Sequence, residues 1–582
     1  MTATVTIAAN KSHWLDRYAK NHHEWRPQQD QNGDSFWCRR QGIIESAFDA
    51  DGRYYEGRAD VTSLLRLKFI SPLSWEQLRQ RILLAWTALR LEHVLMRAWA
   101  PLIKNEAHGS DEPYFQVPCF DGPEAAIENA NQWLSFVEDR PDRIVDDDEF
   151  HLHSINTARV VDTNRSLSRL FVLPRKALDN GETVLRFCLV AAHQITDGLT
   201  MRVWQESFLR LLNTPLSGLQ TSISSLCPLA ATKSRLPKAQ EDLYPAMSGS
   251  VARRRWFWAL SRILRHVRKP LSAGFPNPLR HEQPFSESKA YPPTYAEVLD
   301  YTSKPPLNTF VVRARVAPDA VSRMVSLCRQ AGASVGAGGF ALVAMVMMEL
   351  HERRHPGDQR PFITAFPINP RPFFNHMDPP DSLMLAFCDG IVFPFLPSDL
   401  DRDGRFRVLV RHAQRQLSAF QKRVRPQDAT DPVAYMGSRG AGRVIAMNYI
   451  LSVEREELKL PDHLRKNTAG PQGMLAASMN GSSQTCGVSS VGRTTQKPGM
   501  YDLSRPIGKG EDDFVADWFD TQGSVRVRDG EFLCGVYGQH DGMEVVVSVD
   551  GNAIDEEKAE EFRQRIEIIF NDHSSRVTKS LL

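Results

Sequence analysis

The sequence predicts an α/β chain of the α+β type, built as more than one domain. Three observations lead there. At 582 residues the chain is too long for one core. Stretches that alternate with period two are interleaved throughout with stretches at helical spacing. Between 271 and 306 prolines crowd together (Pro276, Pro278, Pro284, Pro292, Pro293, Pro305 and Pro306), marking a linker or long crossover between 1–270 and 307–582.

Composition narrows the function classes. Hydrophobic residues make up 42% and charged residues 24%, an ordinary globular balance. A formal net charge of +2 gives no electrostatic footprint for nucleic acid. The eight cysteines are dispersed, which argues against a zinc ribbon and a disulfide framework. Met1–Thr6 has no apolar signal core, and the longest apolar run, Phe340 to Met348, falls short of the ~20 residues a bilayer needs. Lys579-Ser580-Leu581-Leu582 is not a peroxisomal address. A soluble, cytoplasmic monomer is expected.

In order along the chain, residues 1–60 are mixed and polar. His22 and His23 read as solvent-facing rather than as a metal pair. Leu64–Phe69 alternates like a strand. Ser74-Trp75-Glu76-Gln77 has capping-box spacing and opens a helix carrying Leu78, Ile82, Trp86 and Leu89. Asp146–His153 is acidic with two histidines and reads as a solvated loop. Leu170–Leu173 and Thr183–Ala192 read as a hairpin turning near Asp179-Asn180-Gly181.

That hairpin delivers the central stretch. An apolar run ends at His193. Gln194-Ile195-Thr196-Asp197-Gly198 follows, and Leu199 to Leu209 returns at helical spacing. This is a strand, a tight polar loop and an amphipathic helix, with an imidazole at the strand's mouth. Neutral His193 can take a proton from an attacking alcohol or amine. Asp197 either pairs with His193 or pairs with an arginine and shapes the loop. Gly198 suits a turn that a side chain would block. Spacing alone equally allows a surface histidine and a plain Asp helix cap.

Residues 214–250 read as loop. Arg253–Lys269 is the most basic stretch, expected as a helix with its apolar face on the protein and its basic face in water. Contact with an anionic membrane or with phosphates is the less favoured reading. Thr309–Val316 alternates as a strand. Helices are expected from Pro318 to Arg329 and from Val335 to Arg353. Gly336-Ala337-Gly338-Gly339-Phe340-Ala341 fits a dinucleotide fingerprint by letter, but no strand precedes it, so close helix packing explains it better. Phe362–Arg371 reads as a strand ending in Asn-Pro-Arg, 404–423 as a helix and Ala446–Ser452 as a strand. Gly487–Arg493 reads as a strand end or a Ser/Gly-rich turn. It lacks the spacing of a nucleophile elbow. Ser524–Tyr537 reads as a hairpin turning at Asp529-Gly530, followed by a strand from Met543 to Val549 and a helix from Glu556 to Phe570.

His193-Gln194-Ile195-Thr196-Asp197-Gly198 resembles the HxxxDG signature of the CoA-dependent acyltransferase superfamily, which holds chloramphenicol acetyltransferases, plant BAHD enzymes and condensation domains. Leu89-Arg90-Leu91-Glu92-His93 is similar to the superfamily's opening helix. Phe48–Asp60 resembles fungal trichothecene 15-O-acetyltransferase-like enzymes. Ala192 replaces the first histidine of the longer HHxxxDG form, and no DFGWG motif is present, which separates the chain from BAHD enzymes. The resemblance spans roughly 60–570 in element order.

It implies two chloramphenicol-acetyltransferase-like subdomains, each a mixed β-sheet flanked by helices, with an active-site channel between them. It implies His193 as the general base, with Asp197 and Gly198 shaping the loop. It implies that Arg371 makes a bidentate salt bridge to Asp197, and that Ser489, Ser490 and Gly492 lie near the tunnel as oxyanion candidates. The implied reaction is O-acyl transfer, acetyl foremost, from acyl-CoA as co-substrate to a small-molecule hydroxyl acceptor. No cofactor is permanently bound, and there is no metal and no nucleic acid. The alternatives are a condensation-type enzyme fed by an acyl carrier protein, and a non-catalytic binding member of the fold.

Overall fold

The computed structural model describes residues 13–571, apart from 106–109, 180–181, 248, 269–270, 288, 303–307, 375–378, 389, 421–440, 466–469, 474–483, 507, 509, 511–512 and 541. Asn180-Gly181, Lys269, Pro305, Pro306, Met1–Thr6 and the Lys579–Leu582 ending therefore lie outside the described residues.

Two mixed sheets organise the chain. The first has five strands in the order Val515–Val525, Val61–Ile70, Thr183–Ala191, Ser168–Ala177 and Leu134–Phe136. The second has six, in the order Ile391–Phe393, Phe362–Ala365, Cys486–Arg493, Phe532–Gly538, Met543–Asp550 and Thr309–Val316. Each carries its own core. Trp86, Phe187, Trp204 and Phe208 belong to the first, and Phe340, Met345, Phe406 and Phe562 to the second. The Trp75–Glu92 helix starts with the full capping box, Ser74 accepting from the Gln77 N–H and Gln77 returning to the Ser74 N–H.

The Val335–Arg354 helix is the spine of the second core. It has a mean hydropathy of 1.3 over its most apolar window, enough by length and composition to cross a membrane, yet 83% of that window is buried in protein. Its glycines make room. A Cβ on Gly338 would meet Cys328 Sγ at 2.5 Å, and one on Gly339 would meet Val536 at 2.8 Å. Close packing, not a cofactor, accounts for them.

Several expectations need correcting. Ser524–Tyr537 is not a hairpin. Gly530 turns with φ +71°, but Val515–Val525 pairs with Val61–Ile70 in the first sheet, while Phe532–Gly538 lies in the second. The alternation of Val515–Val525 puts Ala516 and Trp518 into the first core, so burial directs the strand there. Within 271–306, Phe275 and Leu279 sit in the second core and Tyr295 and Leu299 in the first, so the stretch crosses between the cores, while Val515–Val525 from 307–582 completes the first sheet. The division at this stretch is therefore not a division of the sheets.

Ala446–Ser452 lies inside the Ala441–Glu456 helix. Short apolar runs do not distinguish a buried strand from a buried helix. Asp147–Ser154 is a helix whose His151 and His153 are buried, because Asp147 is drawn in by Arg66 and Arg186. His23 is likewise buried, with Asp242 accepting from the backbone N–H groups of His22 and His23. The 214–250 region contains two helices, Leu216–Leu226 and Leu229–Lys233. The basic Val251–His266 helix packs inward through Trp258, Ser261 and Arg265, with Arg265 paired to Glu454 at 3.0 Å. Trp258 and Phe257 pack on the second core and Arg253–Arg255 face water, as expected, but a second apolar stripe is exposed beside them.

Candidate active site

The Thr183–Ala191 strand is buried almost throughout and ends at Ala192, which starts a 3-10 turn over His193–Ile195. Asp197 then caps the Gly198–Leu212 helix. One carboxylate oxygen, Oδ1, accepts from the N–H groups of Leu199 (3.0 Å) and Thr200 (2.9 Å). The other, Oδ2, accepts from Arg371 Nη2 (2.8 Å) and the N–H of Met384 (3.0 Å). Four donors thus bind Asp197, and His193 is not among them. The helix cap and the arginine partner, set apart as alternatives in sequence, occur together.

Arg371 reaches Asp197 with one nitrogen, not the bidentate fork that the resemblance implies. The same Nη2 contacts the carbonyl of Ser382 at 2.6 Å, and Nη1 points to Asn369 Oδ1 at 3.4 Å. The residue begins a 3-10 turn, Arg371–Phe373, and that direction of approach leaves Nη2 alone facing the carboxylate. Arg371 is 5% exposed and Asp197 3%, so the pair is desolvated.

Gly198 also departs from expectation. It is the first helical residue, its φ is not positive, and a Cβ there would meet Val491 at an ordinary 3.6 Å. The backbone does not require glycine. What glycine does is keep the cavity wall low beside His193.

His193 opens on a cavity of about 430 Å3 between the two sheets. Ser63 and Ser524 line it from the first sheet, Arg202 from the Gly198–Leu212 helix, and Ser489, Ser490 and Gly492 from the Cys486–Arg493 strand. That strand is bulged: its register shifts between Ser490 and Gly492, and Gly492 has φ +84°. Val491 drops out of the ladder, and its carbonyl lies 3.4 Å from Arg202 Nη1. Among the described residues, no group of three His, Cys, Asp or Glu side chains is placed to hold a metal ion.

Sequence reasoning missed the other flank of His193. Phe48, on the Ile43–Tyr54 helix, stacks on the imidazole with centroids 4.1 Å apart and planes at 18°. Arg528 lies over the far side of the Phe48 ring at 5.7 Å and is held by Asp51 at 2.6 Å. Asp49 accepts from Gln194 Nε2 (2.9 Å) and from both Nε and Nη2 of Arg53. Asp60 accepts from Arg159. The Phe48–Asp60 phrase, quoted above only for its likeness, is therefore where the chain braces the loop. The signal was in the sequence, but nothing local said what it would touch.

Burial lowers the pKa of His193 below the ordinary 6.5. Asp197 and the loop backbone oppose this, and the Arg528 charge adds to it. The ring is thus neutral at neutral pH, and its Nδ1 is buried without a hydrogen-bond partner among the described residues.

No protein-family model and no curated protein matches the chain. Solved structures do. Trichothecene 15-O-acetyltransferase TRI3 from Fusarium sporotrichioides aligns with a TM-score of 0.62 at 11% identity, over 94% of this chain and 97% of that one. The condensation domain from the Monacolin K polyketide synthase MokA aligns at 0.49 and 10% identity, over 92% and 98%. The first condensation domain of the CDA synthetase aligns at 0.47 and 12%, over 92% and 96%. The chain shares the fold of that acetyltransferase, as two sheet-centred halves flanked by helices.

Proposed function

We propose that the chain is an O-acyltransferase that moves an acyl group, acetyl foremost, from acyl-CoA to a hydroxyl of a small secondary metabolite. The observation that carries this reading is His193. It is a neutral imidazole with one nitrogen buried, opening on a cavity between two halves whose fold is that of an acetyltransferase.

In this scheme the acceptor's hydroxyl lies against His193 Nε2. The imidazole removes the proton as the oxygen attacks the thioester carbonyl, forming the new C–O bond. The oxyanion collapses, the C–S bond breaks, and the CoA thiolate takes the proton back from the imidazolium. General-base help of this kind is worth ~10²–10⁴-fold, and holding both substrates in one cavity adds to it. Asp197 and Arg371 act as positioning residues. We assign the oxyanion to the Ser489 and Ser490 hydroxyls and to the backbone freed by the bulge at Val491. Arg202, a half-buried guanidinium at the cavity wall, is suited to an anionic part of a substrate.

The test needs no knowledge of the acceptor. Thermal unfolding is followed with CoA, acetyl-CoA and longer acyl-CoAs. A ligand at about 100 times its Kd adds about 2.7 kcal/mol. A higher melting temperature with one acyl-CoA supports the reading and names the donor. No shift with any of them at saturating ligand would move the assignment to a carrier-protein donor or a non-catalytic member.

A further inference from the structure

The Val251–His266 helix is apolar on two faces, one buried and one exposed. Its buried face is Trp258, Ser261 and an arginine, Arg265. The opposite face carries Trp256, Leu260, Ile263 and Val267, which are 66%, 41%, 53% and 62% exposed. Their spacing of four, three and four residues aligns them in one stripe along the axis. Single exposed hydrophobics are commonplace, but a contiguous stripe with a tryptophan is not. The flanks are basic. Arg253, Arg254 and Arg255 are exposed, Arg262 and Arg268 follow, and no Asp or Glu occurs from 251 to 268.

We propose that this helix seats the protein on an anionic lipid surface. Sixteen residues rise about 24 Å, short of the ~30 Å hydrocarbon layer, and arginines along the sides oppose spanning, so the helix lies in the plane of the interface. A bilayer offers an apolar layer beneath a negatively charged headgroup layer, the complement of an apolar stripe bordered by arginines. A second copy of the chain is disfavoured, because two such faces would bring their arginine clusters together. Trp258 and the Arg265–Glu454 pair share the buried face, which leaves the stripe outward.

The experiment is flotation of the full-length protein with vesicles of phosphatidylcholine plus phosphatidylserine, against pure phosphatidylcholine vesicles. The protein should float with the anionic vesicles, much less with the neutral ones, and be released as salt is raised. The double substitution Trp256→Ser with Ile263→Ser should lower partitioning at least about tenfold and leave the melting temperature unchanged, since both side chains are exposed. Arg253→Glu with Arg255→Glu should abolish the preference for anionic vesicles by itself, a second route should the first variant misfold. Wild-type protein that stays in solution with anionic vesicles would overturn the proposal, as would a Trp256/Ile263 variant that floats like wild type. A concentration-dependent dimer in wild type, lost in that variant, would give the stripe to a second copy instead and likewise overturn it.

Discussion

His193 is gripped on two flanks, and the flanks are built differently. On one, Asp197 gathers four hydrogen bonds and ties the loop to Arg371 and Met384 of the second half. On the other, Phe48 lies flat against the ring and Arg528 lies over Phe48. The first flank sets where the loop is and does not touch the imidazole. The second touches the imidazole, orients its plane and places a positive charge nearby. Asp197 fixes the loop and its charge favours the imidazolium, while Arg528 disfavours it, so the two flanks push the proton affinity of His193 in opposite directions.

The largest effect should come from the positioning flank. Arg371→Ala leaves the buried Asp197 carboxylate with its three backbone donors and no cation. We expect a loss of about 3 kcal/mol, the lower end of the range for breaking a buried pair because those donors remain, together with lost activity. Thermal unfolding checks it, and an unchanged melting temperature would break the distinction between the flanks. His193→Ala should act chiefly on catalysis. Turnover should fall by ~10²–10⁴-fold with the fold retained and a smaller drop in melting temperature than for Arg371→Ala, since the variant loses the ring stack on Phe48 but breaks no buried ion pair. Normal turnover in this variant would sink the general-base role.

A subtler effect tests the stacking flank. With the His193 pKa below 6.5, kcat/KM in wild type should be flat through neutral pH and fall only as pH drops below that value and the base is protonated. Arg528→Gln removes a cation that disfavours the imidazolium, so the acidic limb of the pH–rate profile should move to higher pH while the plateau persists. Lys459 remains beside Asp51 in that variant, which limits collateral damage. An unmoved limb would assign Arg528 to packing alone. Smallest of all, Gly198→Ala should leave folding intact or stabilise it by about 0.4–1 kcal/mol. It should also raise KM by a few fold for bulky acceptors, because the new methyl stands at the cavity wall.

How far the sequence could be read depended on distance along the chain. The strand, loop and helix around His193, the capping box at Ser74 and the helix from Val335 were legible, because caps and periodicity act over a few residues. The Ala441–Glu456 helix was not, since an apolar run of seven residues suits either period. Asp197's partner came from likeness alone, and its single-nitrogen geometry could not come from that either. Phe48 and Arg528 were invisible as site residues: no local pattern states that Phe48 will stack on His193 and that a residue as distant as Arg528 will lie over Phe48.

By itself, then, the amino-acid sequence determined which segments carry each period, where the loop begins and ends, and that a titratable ring sits in it. Those are local free-energy differences, settled by neighbours within a turn or a strand. Only the tertiary structure decided that Val515–Val525 joins the first sheet, that Phe48 rather than Asp197 meets the imidazole, and that the Val251–His266 helix buries Trp258 and turns Trp256 outward. Each of these follows from which faces bury together once two cores close, and on the Val251–His266 helix Trp258 and the Arg265–Glu454 pair share the buried face.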